Sequence, residues 1–276
     1  MSGGETDPVS STASELERLR AELQAARQEQ EAFLRAVSHD LRAPLRHILA
    51  YGRLVRELVE ESNADPEALQ FLDTMAQSGQ QLGDMIDGLI QLGRAGLVPL
   101  QPRPVAAGAA LRAAAQDALA AAAAHAGPAG GEPAWPGCVQ WQWPGGSGEE
   151  DIALHADPAL LHDVLVAVLD NALKFSRPVA QPRIVLEARH AADGLVEIHV
   201  RDNGVGFAPE RAGPLFGVFQ RLHPVSQFKG LGLGLARARR FVQRMEGEIG
   251  IDAVPARAGE PVPGQGCVVR IALPAA

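Results

Sequence analysis

The amino-acid sequence predicts an α+β protein. A long N-terminal helical hairpin pairs with a second copy into a four-helix bundle, and a layered α/β sandwich follows it. Three observations predict this. Apolar or small residues recur at 3,4 spacing from Leu16 to Leu89, the period of an amphipathic helix. A proline-rich stretch, Val98-Pro99-Leu100-Gln101-Pro102-Arg103-Pro104, then interrupts the chain. Beyond it, helical and strand-like patterns mix without strict βαβ repetition.

Residues 1–13 are rich in Ser, Thr, Gly and Asp and read as a disordered N-terminus. Ser14 with Glu17 makes a capping box that opens a helix. Leu16, Leu19, Leu23 and Ala26, then Phe33 and Val37, form a coiled-coil seam with polar Gln30 at one position, so residues 14–31 read as a coiled-coil signalling helix. The helix continues through Leu45, Ile48, Gly52, Val55 and Val59 to about Glu61. Pro44 lies inside it, and a bend is expected beside Asp40, whose carbonyl loses its partner. Asp65 caps a second helix with Pro66 at its first position. Leu72, Met75, Gly79, Leu82, Ile86 and Leu89 line that helix, which ends near Gly93–Gly96. Such a hairpin, residues 32–97, is too thin to bury its own apolar face, and a homodimer is the simplest remedy.

Residues 98–104 are the linker and 105–276 the second domain. An alanine-rich helix over 106–126 opens that domain. Residues 127–150 hold many Gly and Pro with Trp135, Trp141 and Trp143, and read either as a variable loop or as a docking site. Val139–Trp143 alternates like a strand. Asp157-Pro158 opens a helix to about Phe175. Strands are expected at Arg183–His190, Leu195–Arg201, Gly247–Ala253 and Cys267–Leu273, with a helix over Leu235–Met245.

Acidic residues outnumber basic ones 33 to 25, giving a net charge of −8 and arguing against nucleic acid as a partner. The acidity belongs to the helical part: residues 1–97 hold 16 acidic and 9 basic groups, residues 98–276 hold 17 and 16. Cys138 and Cys267 cannot build a disulfide framework or a zinc cluster. No apolar run is long enough for a membrane span and no signal peptide opens the chain, so a cytoplasmic location is expected. Only Lys174 and Lys229 are lysines; every other basic residue is arginine.

The chemistry concentrates in a few stretches. Ser38-His39-Asp40-Leu41-Arg42-Ala43-Pro44-Leu45 places a histidine on a helix beside a carboxylate. Neutral imidazole is a good nucleophile near pH 7, and Asp40 can orient or deprotonate it. The second domain carries Leu169-Asp170-Asn171-Ala172-Leu173-Lys174-Phe175-Ser176, then Asp202-Asn203-Gly204-Val205-Gly206-Phe207. Leu215-Phe216-Gly217-Val218-Phe219-Gln220-Arg221-Leu222-His223 and Lys229-Gly230-Leu231-Gly232-Leu233-Gly234 follow. Alternating glycines before a helix expose N–H groups at its positive end, which suits phosphate.

These stretches, in this order, resemble the phosphoacceptor, asparagine, glycine and phenylalanine boxes of bacterial sensor histidine kinases. The run around His39 is most similar to the phytochrome-associated branch. The resemblance spans roughly residues 15–275 and implies a dimerising phosphoacceptor hairpin plus a Bergerat-type ATP-binding sandwich, the fold shared with gyrase. It implies His39 as phosphoacceptor, with Asp40 assisting, and ATP and Mg²⁺ as cofactors. By the same resemblance Asn171 holds the metal, Lys174 and Lys229 contact phosphate, and Asp202 accepts from the adenine amino group. Gly204, Gly206 and Phe207 then border the base, and Gly230, Gly232 and Gly234 form the phosphate loop. The partner implied is a response-regulator receiver domain, which takes the phosphoryl group on an aspartate. A non-catalytic dimeric adaptor and a histidine phosphotransfer protein are the rival readings.

Two positions depart from the pattern. Ala167, four residues before Asn171, cannot activate water, which disfavours gyrase-like hydrolysis and is expected to alter Mg²⁺ dependence. Ala43, four residues after His39, has no side chain to position water, so weak phosphatase activity toward the regulator is expected. No sensory domain is recognisable ahead of the coiled coil; the signal is expected through a partner on the N-terminal helix, through an upstream region, or not at all.

Overall fold

The computed structural model describes residues 8–61, 66–96, 99–125, 140–142, 152–208, 210, 212–224, 227–228, 230–253 and 266–276. The chain divides into two compact units, Met1–Leu97 and Val98–Ala276.

The first unit holds two helices, α1 (Pro8–Glu61) and α2 (Pro66–Ala95). Helix α1 begins at Pro8, whose fixed φ suits a first turn, so Ser14 lies inside the helix and does not cap it. The backbone over 8–13 is likewise helical, where a disordered stretch is expected from composition. The helix runs on through Pro44 without a break. Helix α2 starts at Pro66; its expected cap, Asp65, lies outside the described residues.

The two helices pack through Leu45, Ile86 and Ile90, with Leu49 against them. Glycine on α2 permits the close approach. A Cβ at Gly79 would fall 2.7 Å from Leu49 Cδ2, and one at Gly52 on α1 would fall 2.9 Å from Met75. Arg42 pairs with Asp87 and Arg56 with Asp73 across the hairpin; both pairs are exposed and stabilise it little. The 3,4 pattern splits between two directions. Leu45 and Ile86 face the partner helix, while Leu41, Ile48, Val55, Met75 and Leu82 stay exposed, as do Tyr51 (68 %) and Phe71 (67 %).

The second unit is a sheet covered on one face by helices. Its order is β1 (Arg103–Ala106), α3 (Ala107–His125), β2 (Gln140–Gln142), β3 (Ala153–Ala156), α4 (Pro158–Ser176), β4 (Arg183–His190) and β5 (Leu195–Asp202). After these come α5 (Gly234–Arg244), β6 (Glu248–Ala253) and β7 (Cys267–Pro274). The five-stranded sheet runs β2-β4-β5-β7-β6. Strands β2 and β4 are parallel and the other neighbours antiparallel. Alternation sets the faces: Val196, Ile198 and Val200 of β5 point inward with Ile184, Leu186, Ile271 and Leu273, while Glu197, His199 and Arg201 point the other way.

Helix α4 lies on the inner face, with Leu161, Val164, Leu165, Val168, Leu169 and Leu173 buried. Asp157 caps it, accepting from the amides of Ala159 and Leu160. The alanines of α3 let that helix pack closely: Leu111, Ala114 and Ala118 are fully buried. Strands β1 and β3 form a separate antiparallel pair. Neither is legible in the sequence, because four residues are too few for alternation and Pro104 argues against a strand. Arg103 and Pro104, expected in the linker, therefore belong to β1. Among the described residues, no helix is long and apolar enough to cross a membrane.

Candidate functional site

A cavity of about 410 Å³ opens in the second unit between α4, the ends of β5 and β7, and the segment before α5. Five stretches that are distant in sequence converge on it. Helix α4 contributes Ala167, Asp170, Asn171, Lys174 and Phe175. Asp202 enters from the end of β5, with Gly206 and Phe207 just beyond. Leu215 and Gln220 to His223 come from the following loop, and Gly230, Gly232 and Gly234 from the glycine run. Cys267 and Val269 close it from β7.

Asp202 is 5 % exposed, held at the floor of the cavity by being the last residue of a buried strand. Its Oδ1 accepts from the Gly204 amide (2.8 Å) and its Oδ2 from the Cys267 thiol (2.9 Å). Burial pushes the Asp202 carboxyl above the usual carboxylate range, opposed by these donors. Burial and the adjacent carboxylate push the Cys267 thiol up as well, so it is a donor and not a nucleophile. Gly204 packs against the end of α4: a Cβ there would meet the Phe175 carbonyl at 2.6 Å, the same carbonyl that accepts from the Val205 amide.

Lys174 lines the cavity from α4. Its Nζ lies 4.6 Å from the centroid of the Phe175 ring, and a Cβ at Gly230 would stand 3.4 Å from that nitrogen. Burial and the nearby Arg221 lower the Lys174 pKa, against the pull of Asp170. A partly desolvated ammonium facing a cavity is stabilised by an incoming anion. Helix α5 begins at Gly234 with no side chain capping it, so its first amides open onto the same space.

The segment between β5 and α5 folds over the cavity through its own contacts. Phe175, His223 and Phe228 form an aromatic cluster with centroids 4.8 to 5.4 Å apart. His223 Nε2 lies 3.1 Å from the Gly206 carbonyl oxygen. Arg221 donates to the carbonyls of Phe228 and Gly230. The Phe219 amide donates to the Gly232 carbonyl (3.1 Å), with Phe219 itself in the left-handed region at φ 61°.

The residues fit a nucleotide and a hard cation. A buried carboxylate can read an exocyclic amine, and open amides with a lysine suit phosphates. Among the described residues no group of three or more His, Cys, Asp or Glu could hold a metal. Asn171 offers an amide oxygen at the cavity wall, a ligand type that suits Mg²⁺. Ala167 and Gly234 leave the neighbouring wall bare, their Cβ positions 4.0 Å apart.

The stretch from Ser38 to Leu45 lies in the other unit. His39 and Asp40 are in the helical backbone of α1; the His39 side chain lies outside the described residues, and Asp40 is exposed. Lys229 and the tryptophan-bearing side chains of 127–150 also lie outside them. Cys267, which lines the cavity, was not foreseen, nor was the role of its neighbour Gly266. The Gly266 amide donates to the Gly204 carbonyl (2.8 Å), locking the start of β7 to the loop after Asp202.

Residues 29–97 match the model of the His Kinase A phospho-acceptor domain, and residues 156–276 match the histidine kinase-, DNA gyrase B- and HSP90-like ATPase. The chain belongs to the sensor histidine kinases. The sensor histidine kinase GacS of Pseudomonas protegens is 30 % identical over 251 residues, covering 89 % of this chain and 26 % of GacS. The phytochrome-like protein Cph1 of Synechocystis is 25 % identical over 250 residues, covering 88 % of this chain and 30 % of Cph1. The chain thus spans about a quarter of the length of GacS and less than half of that of RssA from Serratia marcescens. The crystal structure of full-length ShkA, in complex with AMPPNP, superposes with a TM-score of 0.54 at 25 % identity, over 88 % of this chain and 45 % of ShkA. Within this sensor histidine kinase the helical hairpin matches the phospho-acceptor domain, and the α/β unit that matches the ATPase carries the cavity.

Proposed function

We propose that this chain is the kinase core of a two-component system, phosphorylating its own His39 from ATP and passing the phosphoryl group to an aspartate of a response-regulator receiver domain. The observation that carries the reading is the convergence of Asn171, Lys174, Asp202 and three glycines of one loop on a single cavity. In this reading Asp202 takes the base, with Gly204, Gly206 and Phe207 around it. Lys174, Lys229, Gly230, Gly232 and Gly234 hold the phosphates, and Asn171 holds Mg²⁺. The unprotonated nitrogen of His39 attacks the γ-phosphorus in line. The N–P bond forms as the β,γ-bridging P–O bond breaks, and Asp40 orients the imidazole. Positioning and charge neutralisation supply the acceleration.

The exposed apolar residues of α1 and α2 support a homodimer, in which the two hairpins cover each other's faces. The division of labour we propose is a signalling helix over 14–31, the acceptor hairpin over 32–97, the linker over 98–104 and the ATP-binding domain over 105–276. Input from a sensory partner would arrive through the N-terminal helix, and a cytoplasmic location follows from the proposed partners.

The test is incubation of the full chain with γ-labelled ATP. Acid-labile label is expected in the wild type and none in His39→Gln; absence of label in the wild type would overturn the reading in favour of an adaptor. Label accepted only from another phosphoprotein would point to a phosphotransfer protein.

Ala43 supports weak phosphatase activity, because the position four residues after the acceptor offers no group to a water. Ala43→Thr is expected to speed loss of phosphate from the regulator by about tenfold or more. Equal rates in the two proteins would show that the position does not govern dephosphorylation.

A further inference from the structure

Two carboxylates are buried among the described residues, Asp202 in the cavity and Asp157 away from it. Asp157 divides its oxygens between two tasks. Oδ1 accepts from the amides of Ala159 (3.0 Å) and Leu160 (3.2 Å), the ordinary work of a helix cap. Oδ2 accepts from the amide of Gln101 (2.9 Å), 56 residues earlier in the chain. A cap requires only the first; the second holds the strand of chain that arrives from the hairpin.

Gln101 lies between α2, which ends at Ala95, and β1, which begins at Arg103. With the clip closed, the chain is fixed to the nucleotide unit at residue 101. With it open, the first fixed residue is Arg103, which frees about 7 Å more of extended chain at ~3.3–3.6 Å per residue. Prolines at 99, 102 and 104 stiffen this stretch, so its direction as well as its length depends on where it is tied. The clip is made to the first turn of α4, the same helix that presents Asn171 and Lys174 to the cavity.

We infer that Asp157 is a positioning residue for phosphoryl transfer: by clipping Gln101 to the start of α4, it sets the length and direction of the tether between the hairpin bearing His39 and the helix bearing Asn171. This rests on the kinase reading above. Transfer to a histidine demands near-contact alignment, so a loosened tether slows the step without touching nucleotide binding.

Asp157→Asn separates the two tasks. The amide oxygen can still cap α4, since asparagine caps as well as aspartate. The amide nitrogen can only donate, and it faces another donor at Gln101. In the full chain, the rate of His39 labelling at saturating ATP is expected to fall about threefold to tenfold, with the KM for ATP unchanged. Inserting two glycines between Leu100 and Gln101 is expected to reproduce the loss, because it lengthens the tether with the clip intact. Amide exchange at Gln101 gives a second readout independent of catalysis: protection in the wild type and fast exchange in Asp157→Asn.

Wild-type labelling rates in both variants would overturn the inference, and so would a parallel rise in KM, which would mark a merely structural role. If the wild type takes no label, the kinase reading falls by itself. The clip is then decided by exchange, and an unprotected Gln101 amide would overturn it.

Discussion

Replacing Asp202 with asparagine is expected to weaken ATP binding by about 100-fold, some 2.7 kcal/mol, and to remove His39 labelling at ordinary ATP concentrations. The substitution keeps the shape and the Oδ1 acceptor for the Gly204 amide. It replaces the oxygen now facing the Cys267 thiol with a donor. An exocyclic amine entering the cavity then meets an N–H where it needs an acceptor, and a buried donor–donor pair leaves both groups unsatisfied. Titration with a fluorescent ATP analogue measures the loss; affinity within twofold of wild type would show that the carboxylate does not read the base. Burial of the carboxylate also makes stability depend on pH. The folded pKa of Asp202 is raised by burial, so between its unfolded and folded values the native state binds the proton more tightly. Its contribution to stability therefore declines as pH rises through that window, and above the folded pKa the ionised carboxylate is a net cost. Asparagine carries no such charge cost, which offsets part of the loss at the Cys267 thiol, and the variant's stability should no longer change through this pH window. Affinity of the wild type, in turn, should fall on acidification at a pH above that of an exposed carboxylate, ~3.9.

The legibility of this fold follows element length and the distance between partners. Strand β4 is readable at Arg183–His190 because eight residues carry several cycles of alternation between buried and exposed positions. Strands β1 and β3 are not, since each holds four residues and their pairing joins Arg103 to Ala156 across more than fifty positions. The hairpin shows a different limit. A 3,4 repeat marks Leu45 and Ile48 alike, yet Leu45 packs inside the hairpin and Ile48 is half exposed. Periodicity locates an apolar surface but cannot divide it between an intrachain and an outward neighbour. The capping box at Ser14 misplaces the helix start for a related reason: local capping chemistry is present, but nothing in it forbids the helix from continuing back to Pro8. In the cavity, Asn171, Lys174 and Asp202 each stand in a recognisable stretch. Cys267 and Gly266 do not, because their role appears only where the start of β7 meets the end of β5, 65 residues away.

That meeting point carries the second large prediction. Gly266 has φ +49°, and a Cβ built on it would lie 1.9 Å from the Asp202 carbonyl oxygen and 2.9 Å from Asn203 Cα. Both neighbours are backbone and cannot rotate away, and the Gly266 amide is already spent on the Gly204 carbonyl. Gly266→Ala must therefore push β7 off the Asp202–Gly204 loop, losing that hydrogen bond and displacing the thiol of the next residue from the carboxylate. Strain in the left-handed region adds roughly 1–2 kcal/mol to the clash. The expected destabilisation is about 3 kcal/mol or more, a fall in Tm on the order of 6–12 °C for a unit of this size. Gly250, on the adjacent strand β6, supplies the control. A Cβ there meets nothing within 4 Å, so Gly250→Ala should change stability by less than about 1 kcal/mol. Equal melting of the two variants would show that β7 is not held to the nucleotide site through Gly266. A large fall confined to Gly266→Ala, with ATP affinity lost alongside it, would identify this glycine as the joint through which the sheet supports Asp202.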